Sequence, residues 1–379
     1  MKIGIVGGGQ LARMMILSGY PLGLEFMVLD PAADACAGQV AELIRADYDN
    51  ERALRELAAK SDVVTFEFEN VPENSIQILS EERPVYPGSE ALRVAQDRLI
   101  EKTMFTELEI PTPKFRSVDS IEDLEIAADE IGIPMILKTR TLGYDGKGQI
   151  RIHSKAELQA AFENMAGVAL ITEQYIPFDR EISMIAVRAI NGETRYYPVT
   201  ENTHRDGILH LSVCRPEDPK QGTAESYIDR ILQRLDYVGI LALEFFEING
   251  ALLANEIAPR VHNSGHWTIE GAEISQFENH IRAVAGLPLG STAAKGYTAM
   301  VNFIQHIPPR SVVLMHDDIH LHSYTKAPRP GRKVGHATVN TLDRDRLTDR
   351  IETLVRIGLA DAQRDPPIES RKYSSKGSQ

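Results

Sequence analysis

The feature that most constrains the fold is the run Lys2–Val6, followed at once by Gly7, Gly8 and Gly9 and then by an apolar-periodic stretch from Gln10 to Ser18. A short buried strand that turns through glycines into a helix commits the chain to a crossover. Phe26–Leu29 supplies the next strand, ending at Asp30, and 62–66 (DVVTF) another, ending in the acidic run Glu67–Asn70. This alternation predicts a parallel sheet with helices on its faces, closing near residue 95.

The glycine turn itself is ambiguous. Gly7-x-Gly9-x-x-Ala12, with Asp30 at the end of the following strand, has the spacing of a dinucleotide site. What the residues require is broader: amides at a helix N-terminus attract an anion, and glycine lets it come close. A turn needed only for tight strand–helix packing has the same spacing.

Beyond residue 96 the pattern is mixed. It predicts a helix over 96–108, broken by Ile110–Pro113, then strands at 134–138, 169–175, 181–190 and 195–198 and a helix over 224–235. Two apolar strands, 241–248 and 252–257, flank Asn249 and Gly250 as a hairpin. A smaller part from 297 holds strands near 297–304 and 320–324 and a helix near 343–357. The expected organisation is therefore 1–95, 96–296 and 297–363, with 364–379 a polar, disordered tail. A length of 379 residues suits two or three domains.

A net charge of −13 argues against nucleic acid or an anionic membrane as partner, so an anionic substrate needs local clusters of Arg and Lys. Cys36 and Cys214 have no metal-ligand spacing and suit a reducing compartment. The glycines interrupt the first apolar run, and no stretch has the length of a membrane span, so a soluble cytoplasmic protein is expected.

Three further groups of residues carry chemistry. Lys138 ends an apolar strand, and Gly143, Gly146 and Gly148 make the following loop (GYDGKGQ, 143–149, with Lys147 inside it) able to fold over phosphates, although it lacks the P-loop pattern. Glu244 and Glu256 lie in apolar strands, where an acid without a partner is costly. A hard cation such as Mg²⁺ takes carboxylates together with nucleotide phosphates. Across a two-residue turn Glu244 would oppose Asn255, leaving Glu256 on the other face, so a shared face predicts a loop of odd length centred on a left-handed Gly250. Finally, Arg260 can grip phosphate as a fork, and His262 and Asn263 can orient a small polar ligand. Lys326 and the segment Arg329–Lys333 form a second basic cluster, shaped by Pro330 and Gly331.

Taken together, Gly7–Ala12 (GGGQLA), 143–149, Asn255–Trp267 (NEIAPRVHNSGHW) and Arg329–His336 (RPGRKVGH) make a chain that resembles the N5-carboxyaminoimidazole ribonucleotide synthases, an ATP-grasp family, over nearly its whole length. The resemblance implies mixed α/β and α+β structure: a Rossmann-like N-terminal domain and a small C-terminal domain flanking an ATP-grasp domain that clamps ATP between two sheets. It implies ATP and Mg²⁺ as cofactors, 5-aminoimidazole ribonucleotide and bicarbonate as substrates, and a homodimer. ATP would meet Arg98, Lys138, the loop residues Gly143, Tyr144, Asp145, Gly146, Lys147, Gly148 and Gln149, the hinge Glu173, Gln174, Tyr175 and Ile176, and Glu181, His204, Asn255 and Glu256. Glu244 and Glu256 would hold the metal, and Ala258 stands where many ATP-grasp enzymes place an asparagine ligand. The ribonucleotide would meet Gly9, Gln10, Glu67 or Glu69, Arg260, His262, Asn263, Lys326 and Arg332. Asp145, Lys147, Arg260 and His262 would act in catalysis. The nearest rival family is the formate-dependent glycinamide ribonucleotide transformylases, which place a different sequence where this chain has 263–267. A dinucleotide-binding oxidoreductase is the rival from another class.

Overall fold

The computed structural model describes residues 1–143 and 148–362. The expected tail at 364–379 and the loop residues Tyr144, Asp145, Gly146 and Lys147 lie outside them.

The first domain is built as the alternation requires. Strands Glu42–Ile44, Glu25–Leu29, Lys2–Val6 and Val63–Phe66 lie side by side in that order, all parallel. Residues of these strands alternate between two cores. Val6, Met27, Leu29 and Val64 pack under the helices Glu51–Ala59 and Glu73–Glu82. Ile3, Ile5, Phe26 and Val28 join the helix Gln10–Gly19 in a second core, which continues into Phe277 and Ile281 of the helix Gln276–Val284. The N-terminal sheet is thus joined to the rest of the chain by packed apolar surface, not by a linker alone.

A small sheet of strands Phe115–Val118, Leu170–Gln174, Met135–Thr139 and Gln149–Ile152 has its own core under the helices Ile121–Ile131 and Leu158–Asn164. Ser120 and Asp123 close a capping box on the first of these helices. The large antiparallel sheet starts with strands Ala251–Ala258, Gly239–Ile248, Arg180–Arg188, Thr200–Arg205 and Ile208–Cys214. It runs on without interruption into Tyr297–Ile304, Lys333–Thr341 and Ile319–Ser323, because Leu211 and Val213 pair with Val301 and Ala299. The last part of the chain therefore extends the central sheet. No helix among the described residues is long and apolar enough to cross a membrane.

The helix expected over 96–108 is present as Arg98–Glu107, preceded by a separate helix, Ser89–Gln96, that ends at Asp97. Asp97 is extended and caps the second helix by accepting from Leu99 N at 2.9 Å, while Arg140 grips its carboxylate with two nitrogens. The 239–258 hairpin has a two-residue turn, not an odd one. Asn249 and Gly250 both have positive φ (50° and 76°), as a type I′ turn demands. The odd residue sits elsewhere. Pairing runs in one register from Ile248–Ala251 to Phe245–Ala254, then shifts so that Leu243 faces Ile257. Asn255 and Glu256 together oppose Glu244: a β-bulge supplies the shift that the turn does not.

His280 fastens the parallel sheet to the central one. Its ring is fully buried, accepts from Ile240 N through Nδ1 at 3.1 Å and meets Thr65 Oγ1 through Nε2 at 2.8 Å. Both nitrogens are used by the neutral ring, and burial depresses its pKa to about 4. An unfolded histidine titrates at about 6.5, so below that pH the unfolded chain binds a proton that the folded chain refuses. Stability from this group is complete above about 6.5 and is lost as pH falls toward 4. Urea unfolding should show about 2 kcal/mol less stability at pH 5 than at pH 7 from His280 alone. The difference should shrink by that amount in His280→Gln; an unchanged pH slope would refute the assignment.

Candidate active site

The two sheets of the central region and the C-terminal edge of the parallel sheet enclose one cleft of about 570 Å³. The bulged hairpin forms its floor. Leu243, Phe245 and Ala254 face the core, so the alternate residues Glu244 and Phe246 face the cleft, and the bulge turns Asn255 and Glu256 toward it as well. Glu244 and Glu256 are close enough that, after burial, the charge of Glu256 is the largest influence raising the Glu244 pKa. A pair of carboxylates held together at this cost fits a hard divalent cation, which favours two carboxylates with phosphate and water completing its shell. Ala258 is buried and offers no side-chain donor, so a third ligand does not come from that position.

One wall carries cations. Lys138 Nζ lies 3.1 Å from Glu173 Oε1, and Lys102 Nζ lies 3.4 Å from Glu173 Oε2. Burial pushes the Glu173 pKa up, but the two lysines outweigh it and bring it down to about 2. Arg98 donates to Thr139 O and Gly143 O, both at 3.2 Å, tying the start of the glycine loop to the helix 98–107. Gln149 lines the cleft, and Gly148, at φ 70°, accepts from Thr139 N. Glu181 and His204 meet at 2.8 Å on adjacent strands and both face the cleft.

The hinge expected at 173–176 is not part of the lining. Glu173 is an internal counter-ion, Ile176 is buried, and the Tyr175 ring is covered by the Arg151 guanidinium at 3.5 Å. Beside the cleft stand two aromatics that sequence reasoning missed, Phe178 and Phe246, stacked at 4.9 Å and 7°. Lys102 and Glu101 were missed too. Both lie inside a helix pattern, with nothing in the sequence to mark them as buried.

At the other end, Glu67 and Glu69 separate into distinct roles. The Glu67 carboxylate accepts from Gly9 N and, at 3.0 Å, from Ala12 N, so it occupies the N-terminus of the helix 10–19. A Cβ on Gly9 would strike that carboxylate. Asp30 accepts from Gly8 N at 2.7 Å, Ala32 N at 2.8 Å and the Tyr48 hydroxyl at 2.8 Å. Both the anion position and the ribose-binding acid of a dinucleotide site are thus taken by the protein's own groups. Glu69 instead grips Arg260 with both oxygens, and this guanidinium overrides burial to hold the Glu69 pKa below the usual carboxylate range.

His262 is kept neutral by burial and by the charges of Arg260 and Lys333. Its Nδ1 lies 2.8 Å from Ser264 Oγ and takes the Ser264 amide, which leaves the Nε2 proton pointing at Glu244, 3.4 Å away. Asn263 pairs amide to amide with Asn302. Trp267, close by in sequence, is wholly in the core, donating to Thr200 Oγ1 at 2.9 Å. Lys326 reaches Gln10 Oε1 behind the cleft rim, Lys333 lines the cleft, and Arg332 holds Ala327 O at 3.2 Å, outside the lining.

Comparison with known proteins agrees along the chain. Residues 1–96 match the ribonucleotide synthetase preATP-grasp domain, 103–277 the ATP-grasp domain and 298–350 the phosphoribosylaminoimidazole carboxylase C-terminal domain. The chain is 59% identical to N5-carboxyaminoimidazole ribonucleotide synthase of Pseudomonas aeruginosa over 93% of its own length and 98% of that protein. The chain belongs to the N5-carboxyaminoimidazole ribonucleotide synthase family. Among solved members of that family, the Thermus thermophilus enzyme superposes with a TM-score of 0.90 at 52% identity, covering 94% of this chain and 98% of that one. The Aspergillus clavatus enzyme in complex with ADP and 5-aminoimidazole ribonucleotide superposes with a TM-score of 0.88 at 29% identity, covering 95% and 98%. The ATP-grasp architecture expected from the motifs is therefore the architecture of this chain.

Proposed function

We propose that this chain carboxylates the amine of 5-aminoimidazole ribonucleotide at the expense of ATP and bicarbonate, releasing ADP and phosphate. The observation that carries the reading is the cleft itself, in which a carboxylate pair, Lys138 and an Arg–His–Asn segment converge. Glu244 and Glu256 would hold Mg²⁺, which supplies charge neutralisation to the triphosphate as phosphoryl transfer proceeds. Lys138 and Arg98 would meet the phosphates, and Glu181 and His204 the nucleotide, all four lining the cleft. The neutral Nε2–H of His262 offers a hydrogen bond to an anionic oxygen without adding charge. Bicarbonate attack on the γ-phosphorus gives carboxyphosphate and ADP. Carboxyphosphate hydrolyses readily, so water has to be kept from the cleft until the amine is carboxylated.

Arg260 binds Glu69 in the present state, so an anion there has to compete with a carboxylate. Gln10, with Lys326 bonded to it, and Arg332 would meet the ribonucleotide. Arg332→Ala should raise KM for the ribonucleotide at least about 10-fold, consistent with loss of one charge-assisted contact, and leave KM for ATP unchanged. An effect on ATP alone would overturn that role.

The reaction is tested by ADP release from MgATP with and without bicarbonate, offering aminoimidazole or glycinamide ribonucleotide. Release that needs bicarbonate and the aminoimidazole compound supports the proposal. Release only with formate and glycinamide ribonucleotide refutes it.

A further inference from the structure

The helix Arg98–Glu107 sends two consecutive side chains, Glu101 and Lys102, into the interior, where they are 3% and 1% exposed. Consecutive helical residues diverge by about 100°, yet these two converge on one short stretch of the strand 251–258. Glu101 Oε1 accepts from Ile257 N at 2.6 Å. Lys102 Nζ donates to Asn255 O at 2.7 Å and to Ala254 O at 3.3 Å. The two peptide units on either side of Glu256 are therefore held from one helix, one by its carbonyl and the other by its N–H. This is also the bulge, where the ladder is interrupted and main-chain groups lose their regular cross-strand partners. Lys102 has two further partners, Thr112 Oγ1 at 3.1 Å and Glu173 Oε2 at 3.4 Å, the latter at the end of the small sheet.

We propose that Glu101 and Lys102 are positioning residues that fix the bulge and so aim Glu256 into the cleft, with Lys102 also setting the distance from the bulge to the Glu173–Lys138 pair. They act through the main chain and, for Lys102, through Glu173, although Glu101 also lines the cleft beside Glu256. The inference rests on the reading of Glu244 and Glu256 as metal ligands. A bulge fixed only by its own strand would leave Glu256 free to swing with the exposed backbone, and a cation site needs its ligands held closely.

The test uses the full chain with Glu101→Gln, Glu101→Leu and Lys102→Met. Gln keeps an oxygen that can accept from Ile257 N; Leu does not. Two properties are read: deuterium exchange over 252–259 in metal-free protein, and binding of Mn²⁺ in the presence of ADP, followed by loss of the free-ion EPR signal. The Leu and Met variants should exchange faster over 252–259 and bind Mn²⁺ at least about 10-fold more weakly, the size expected for removing an outer-shell support. Glu101→Gln should stay within about 3-fold of the parent, well inside that outer-shell range. Normal Mn²⁺ affinity in a folded Leu or Met variant, or a Gln variant as weak as Leu, overturns the proposal. Should Leu and Met fail to fold, Glu101→Asp, one methylene shorter, is held to the same criteria. Parent protein that binds Mn²⁺ no better than Glu256→Gln overturns the metal reading itself, and this inference with it.

Discussion

Glu256→Gln should cut turnover on the order of 10³-fold while the protein stays folded. The side chain is exposed to the cleft, so the exchange removes no packing and leaves no buried orphan. What it removes is half of the carboxylate pair. The amide oxygen is a weaker ligand without charge, and several kcal/mol of transition-state charge neutralisation go with it, each ~1.4 kcal/mol being tenfold in rate. A second signature follows from the pairing. Burial and the Glu256 charge together raise the Glu244 pKa, so loss of Glu256 should let Glu244 ionise at lower pH. The measurement is ADP release against Mg²⁺ concentration at several pH values, with circular dichroism as the check on folding. Turnover within threefold of the parent would remove the metal assignment (a threefold change is only about 0.7 kcal/mol).

Glu173→Leu should cost about 3–5 kcal/mol of stability, because it strands a buried ammonium. Lys102 is 1% exposed, and among the described residues Glu173 is the carboxylate paired with it. The remaining partners, two carbonyls and a hydroxyl, cannot balance the charge. Burial already lowers the Lys102 pKa, and removing the carboxylate lowers it further. The variant should therefore gain stability as pH rises, since the folded state then gives up a proton that the unfolded lysine keeps. The double variant Glu173→Leu/Lys102→Met should recover part of the loss, as buried ion pairs replaced by apolar groups of similar size often are near neutral, while Lys138 is still left without Glu173. Urea denaturation of the three proteins decides it. A single-variant loss under ~1 kcal/mol, within the range of a surface pair, would mean that the pair does not carry its charge in the interior.

The cleft was legible in the sequence to different depths at different residues. Glu244, Glu256 and Lys138 stand out because charged groups inside apolar runs are costly unless used, Arg260 and His262 because a polar segment follows that hairpin directly, and all five reach one cleft. Glu101 and Lys102 carry no such mark, since acids and lysines in a helix are usually solvated, and only the packing of that helix against the strand 251–258 buries them. The strands 200–205, 208–214 and 333–341 escaped as well, because their polar residues interrupt the alternation. Thr200, Asn202 and Ser212 are buried polar groups, satisfied by one another and by Ser183 and Trp267, and such pairing depends on residues far apart in sequence.

By itself the sequence determined the parallel sheet of the first domain, the left-handed Gly250, and the residue types that a phosphate- and cation-binding cleft requires, because period, turn chemistry and the cost of buried charge are local properties of the chain. Tertiary structure decided which of those groups face one another. The need for an odd residue in the hairpin was visible from 244 and 256, yet it was met by a bulge at Asn255–Glu256 and not by the turn, because the Asn249–Gly250 pair already satisfies a type I′ geometry and the helix 98–107 grips the extra residue from outside the hairpin. Likewise the glycine turn and Asp30 had the spacing of a dinucleotide site, and only the arrival of Glu67 from the end of the neighbouring strand 63–66, filling the helix N-terminus with the protein's own carboxylate, settled what that turn holds.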